Sequence, residues 1–239
     1  MKTKLMKYAF LFVLALFITA CENNNQIQAP PRTIIVLKDM SLSTPVLEDS
    51  LTNVFITTLM KQLRPGDELY VLAINEASFA KPLMLVHGKI PQDNHPLKSK
   101  SLSARERLAK QWRQQSQILK LNAKQTDIIG ALNYCALLFT DDEAEKLIIL
   151  LSDMRQSSAV LNLERKSAVD AKRNVEFLKK KGLIPDLKDV KAVVLGAHTV
   201  GRTVDPVYYK KLHLFWDAFF TEAGAKMTVY RTDRNWKLT

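Results

Sequence analysis

Asp39, Ser41 and Ser43 form an Asp-x-Ser-x-Ser string directly behind the apolar run TIIVL. A carboxylate and two hydroxyls at a strand end offer only hard oxygen donors, which suit Mg²⁺, Mn²⁺ or Ca²⁺ and not zinc. The same string also reads as a polar turn in which a side chain caps the loop. Two further places put oxygens at the start of a loop or helix. Thr126 and Asp127 precede the apolar stretch IIGALNYCALLF, and Asp153 follows KLIILL. A carboxylate such as Asp127 at a helix start also suits the helix dipole without any metal. The four histidines, His87, His95, His198 and His213, show no zinc spacing. Cys135 lies inside an apolar helical stretch and reads as a small buried hydrophobe, not a nucleophile.

Hydrolytic chemistry finds little support. A phosphatase of the haloacid dehalogenase type needs a second carboxylate two residues after the nucleophilic Asp, and here that position is Ser41. There is no Gly-x-Ser-x-Gly elbow and no glycine-rich phosphate loop among the seven glycines.

The elements that must position these residues alternate in type. The periodicity predicts a strand at Thr33, then a helix from Pro45 to Leu63 with Thr44 as N-cap. Leu47, Leu51, Val54, Phe55, Leu59 and Leu63 are its expected buried face. Strands are expected at 68–74 and 81–87, the latter an edge because it contains Pro82. A basic helix follows, expected to bury Leu108, Trp112, Ile118 and Leu119. Further elements are a helix from Thr126 to Phe139, a central strand Lys146 to Leu151 and a long charged helix Asn162 to Lys180. The chain closes with a strand Val190 to Leu195, an aromatic helix Asp205 to Ala223 and a strand Lys226 to Tyr230. This alternation predicts an α/β fold, doubly wound, with a mostly parallel central sheet, helices on both faces and one antiparallel edge strand.

The first twenty residues read as a targeting signal. Lys2, Lys4 and Lys7 precede an apolar run from Tyr8 to Ile18, shorter than the ~20 residues a spanning helix needs. Ile18-Thr19-Ala20-Cys21 resembles the lipobox of bacterial lipoproteins, which implies cleavage before Cys21 and acylation of its thiol. Residues 21–31 are polar, end in Pro30-Pro31 and read as a tether, leaving 32–239 as the folded domain. Cys135 then has no partner for an internal disulfide. The net charge of +11, three units of it in the leader, favours anionic surfaces or acidic partners. Six Lys or Arg stand against one Glu between Lys98 and Arg113. That segment reads either as a solvated helix face or as a surface for anionic lipid, cell-wall polymer or an acidic partner.

The strings DMSLS, QTDIIGAL and LIILLSD, in this order, together with the closing GAKMTVY, resemble the von Willebrand factor type A (VWA) domain over roughly residues 32 to 232. The resemblance implies a metal-ion-dependent adhesion site. Ser41, Ser43 and Thr126 would meet the metal through their hydroxyls, and Asp39 and Asp153 largely through water or as supports. It implies Mg²⁺, with Mn²⁺ or Ca²⁺ as substitutes, and a protein partner that presents an Asp or Glu. Met154 departs from the pattern, since relatives often carry Gly after the third-loop Asp. The expectation is a non-enzymatic, lipid-anchored envelope protein, membrane-attached at Cys21. Glu22 is not the Asp associated with inner-membrane retention, so the outer membrane is favoured over the inner. An envelope hydrolase and a basic polyanion-binding protein are the alternatives; genomic DNA is not an expected partner, and the oligomeric state is left open.

Overall fold

The computed structural model describes residues 29–42, 44–92, 99–198 and 205–238. Its elements, in order, are β1 (Arg32–Asp39), α1 (Val46–Lys61), β2 (Glu68–Ile74), β3 (Leu83–Lys89), α2 (Ser99–Ile118) and α3 (Ile128–Ala136). They continue with β4 (Glu145–Leu151), α4 (Ala171–Lys180), β5 (Val190–Leu195), α5 (Pro206–Glu222) and β6 (Lys226–Arg231). The sheet has the order β3-β2-β1-β4-β5-β6. All its pairings are parallel except β2 with β3, the expected antiparallel edge. Residues Pro31–Thr239 form one compact unit.

Strand β1 is buried along its whole length, as a central parallel strand covered on both faces must be. Alternate side chains feed two cores. Ile34 and Val36 pack with Phe55, Ile56 and Leu59 of α1 and Leu108 and Trp112 of α2. Ile35 and Leu37 pack with Ile128 and Leu132 of α3, Leu178 of α4 and the aromatic face of α5. That face, Leu212, Phe215, Trp216, Phe219 and Phe220, is fully buried as its spacing predicts, with edge-on contacts between Phe215, Trp216 and Phe219. At the N-terminal end of the sheet, the Arg32 guanidinium donates to both oxygens of Asp67, a carboxylate with no solvent exposure. Asp67 also accepts from the Arg32 and Arg64 backbone amides, so its charge is fully surrounded by donors.

Four expectations are corrected. The helix expected from Asn162 begins only at Ala171. Asn162 instead accepts the Glu164 amide in a turn, Leu163 plugs the core, and Asp170 caps the later start by accepting from Arg173 N. Helix α1 is rotated from its apolar stripe. Leu47, Leu51 and Val54 are exposed, whereas Glu48 and Thr52 are buried against a C-terminal arginine described below. Thr44 makes no cap for α1, because its hydroxyl meets that of Ser41. Finally, Ile118 is 73% exposed at the end of α2, nearly two turns beyond the buried Trp112.

Candidate metal site at the strand-order switch

Strands β1 and β4 are neighbours, and the chain order reverses between them: β2 and β3 extend one way, β5 and β6 the other. In an open α/β sheet the crevice beyond the strand ends at such a reversal is where ligands bind. Asp39 ends β1, and Ser152 and Asp153 follow β4, so these residues flank that crevice.

Three contacts close the loops into a triangle. First, the Ser152 hydroxyl donates to Asp39 Oδ2 at 2.7 Å, joining the first and third loops. Second, Ser41 bridges Ala123, with Leu42 N donating to Ala123 O at 3.0 Å, which joins the first loop to the segment before α3. Third, Thr126 and Ser157 exchange backbone bonds of 2.9 Å in each direction, joining that segment to the third loop. Asp39, Ser41 and Thr126 are all buried. Asp39, Ser41, Thr126 and Asp153 therefore sit on loops held at one edge. Ser43, the remaining hydroxyl of the set, lies outside the described residues.

Asp39 is engaged at both oxygens, since Oδ1 accepts from Ser41 N at 2.9 Å. Burial, with the Asp153 charge nearby, pushes its pKa up to about 6 despite these hydrogen bonds. Asp153 accepts from Arg155 N at 3.1 Å and lies 3.7 Å from the Arg155 guanidinium. Asp127, by contrast, is an N-cap. Its carboxylate accepts from Gly130 N at 3.0 Å and from the Gln156 amide at 3.4 Å. A Cβ at position 130 would fall 2.0 Å from Asp127 Oδ2, so the cap requires glycine there.

Met154 has φ 65°, the left-handed region that L side chains rarely adopt. Glycine would adopt this backbone without strain. Methionine is held there by other means: its side chain is fully buried, and its carbonyl accepts from Trp216 Nε1 at 2.9 Å.

Several partners carry no signal in the sequence. Ser152 and Gln156 support the site only once the loops have met. Arg234, far along the chain, lines the same small cavity as Asp39, Ser152, Asp153 and His198. It pairs with Glu48 and donates to Thr52 Oγ1 at 3.0 Å. Its guanidinium lies over Gly196, where a Cβ would stand 2.7 Å away and where φ is 80°. Among the described residues no three His, Cys, Asp or Glu groups cluster as metal ligands. Any cation here would rest on hydroxyls with two carboxylates behind them. The donor set is consistent with a hard dication: every group is oxygen, and Asp39 is a buried carboxylate destabilised by a neighbouring charge. Burial pushes the Cys135 thiol up, so it stays a thiol and is no candidate nucleophile.

No protein-family model and no curated protein matches the sequence. Among solved structures, the chain is similar to proximal thread matrix protein 1 from the mussel byssus, at 13% identity and TM-score 0.47. That alignment covers 87% of this chain and 43% of the other. It is also similar to a von Willebrand factor type A protein from Catenulispora acidiphila, at 14% identity and TM-score 0.44, covering 85% and 39%. A third is the manganese-loaded TRAP protein of Plasmodium vivax, at 14% identity and TM-score 0.43, covering 77% and 62%. The chain thus spans less than two thirds of each of these proteins. The fold assignment above rests on strand order and register.

Proposed function

We propose that this chain is a VWA-type binding domain that holds a divalent cation, Mg²⁺ by preference, at the β1/β4 crevice and uses it to engage an acidic residue of a protein partner. The observation that carries the reading is the triangle of loop contacts, which gathers Asp39, Ser41, Thr126 and Asp153 at the strand-order reversal. Ser41 and Thr126 would offer neutral oxygens to the cation. Asp39, already accepting two hydrogen bonds, would orient Ser41 through its backbone and balance charge from behind. A bound dication supplies an electrophilic position for a carboxylate, because hydroxyl donors neutralise little of its charge. The chain acts here as a binding module, not an enzyme. Acylation at Cys21 would anchor it to a bacterial envelope membrane, the outer membrane by preference.

Calorimetric titration with Mg²⁺ tests the metal. Binding is expected for the wild-type chain and is expected to vanish in Ser41→Ala/Thr126→Ala. Wild type without heat of binding or metal-dependent stabilisation, or a double variant that binds unchanged, would refute the site. At a metal concentration one hundred times the Kd the stabilisation should be ~2.7 kcal/mol.

A further inference from the structure

Helix α1 leaves the crevice edge and runs back along β1, so Lys61 at its end lies near the level of Arg32, where the sheet begins. The register supports this, since Thr33 pairs with Glu68, shortly after Lys61. Strand β3 returns to the same end, with Lys89 opposite Glu68. Helix α2 then runs the other way and delivers Ala123 to the crevice beside Ser41. Its first half therefore lies at the end of the domain where β1 begins, opposite the candidate metal site.

That end carries a basic depression of about 740 Å³, open to solvent, between α1 and α2. Lys61, Arg105, Arg107, Lys110 and Arg113 line it, with Glu106 the one carboxylate in the lining. None of the five cations takes part in an ion pair among the described residues, although ten such pairs occur elsewhere in the structure. Arg105 Nε is shielded from solvent and has no hydrogen-bond partner among the described residues. Leu102, 52% exposed, sits within the ring. Five cations against one carboxylate, gathered from two elements around an exposed leucine and without an ion pair among the described residues, suit an anionic counterpart.

We propose that this depression docks on an anionic lipid surface, phosphate headgroups meeting the cations and Leu102 entering the interface. Two observations favour a membrane over a soluble polyanion: the leucine within the basic ring, and the placement of the patch at the end of the sheet where β1 begins at Arg32. About ten tether residues reach at most ~35 Å from an acylated Cys21. With the anchor within that reach and the patch docked, the end of the domain bearing Arg32 would face the lipid and the crevice would face away from it. This orientation rests on the lipid anchor proposed above; the charge-driven attraction does not.

Flotation of the full chain with phosphatidylcholine vesicles, and with vesicles one third phosphatidylglycerol, separates the two. Binding to neutral vesicles reports the apolar N-terminal anchor, while the anionic-to-neutral ratio reports the patch. Each basic side chain near such a surface contributes enough that the ratio should be on the order of a hundred at ~50 mM salt. It should fall towards one at ~300 mM salt. Arg105→Gln/Arg107→Gln/Lys110→Gln/Arg113→Gln should abolish the preference. The variant sparing half-buried Arg105 should abolish most of it, and Lys172→Gln/Lys180→Gln/Lys181→Gln on α4 and its C-cap should leave it. A wild-type ratio near one, or equal loss in the α4 variant, overturns the proposal. So does displacement by free polyphosphate at equal phosphate, which would make the patch a soluble-polyanion site. Chelator and Ser41→Ala should change none of these values, so loss of the metal reading would not be mistaken for loss of this one.

Discussion

Asp39 is the residue on which the crevice chemistry turns. Its carboxyl pKa, pushed up to about 6 from 3.8, means that without metal the protonated form is favoured by folding. The stability this contributes is fully present below pH 3.8 and is lost as pH rises through about 6. Near neutrality the ionised group costs up to ~3 kcal/mol, since each unit is worth ~1.4 kcal/mol. Asp39→Asn should therefore stabilise the metal-free chain by about 1–3 kcal/mol at neutral pH while removing the stabilisation by Mg²⁺. In wild type, Mg²⁺ affinity should rise as pH is raised through about 6, because the proton competes for Asp39. Urea unfolding across pH, with and without chelator, checks both. Destabilisation by Asn at every pH would show that the ionised carboxylate supports the metal-free loop after all.

At the scale of elements, α1 is the piece whose placement departs from its own pattern. Its leucines at 47 and 51 face solvent so that Glu48 and Thr52 can meet Arg234, and Lys38 of β1 reaches Asp49 in the same first turn. Breaking a buried pair costs more than removing both partners, because one charge is left without compensation. Arg234→Ala should lower stability by ~3 kcal/mol, and Glu48→Gln/Arg234→Met should recover most of that loss. A double-mutant cycle by urea denaturation measures the coupling. A single Arg234→Ala change within about 0.5 kcal/mol of wild type would mean that the C-terminal segment is not tied to α1.

For the whole molecule, the sheet has a protected middle and two weaker margins. Strand β1 is buried throughout, whereas β3 exposes Leu83 and Met84, and β6 has no fully buried residue. Amide hydrogen exchange should thus be slowest, at the global unfolding free energy, in β1 and β4. It should be faster, through local opening, in β3 and β6. Equal protection of β6 and β1 would place the cooperative unit elsewhere. The arrangement also separates two surfaces, the acidic crevice at one end of the sheet and the basic depression towards the other.

Much of this was readable from residues alone, because it depends on local chemistry. Strand β1, the buried stripe of α5 and the existence of an antiparallel edge strand each follow from pattern over a few neighbours, although Pro82, on which the edge reading rested, lies just before β3. The type and spacing of Asp39, Ser41, Thr126 and Asp153 were equally open to reading. Contacts between residues remote in the chain were not. Ser152 with Asp39, Gln156 with the Asp127 cap, and Arg234 with Glu48 exist only because parallel strands bring distant loops to one edge. For the same reason α1 turned its carboxylate inward against its apolar stripe: a guanidinium from the far end of the chain outweighs two leucines left in water, and no local period encodes that.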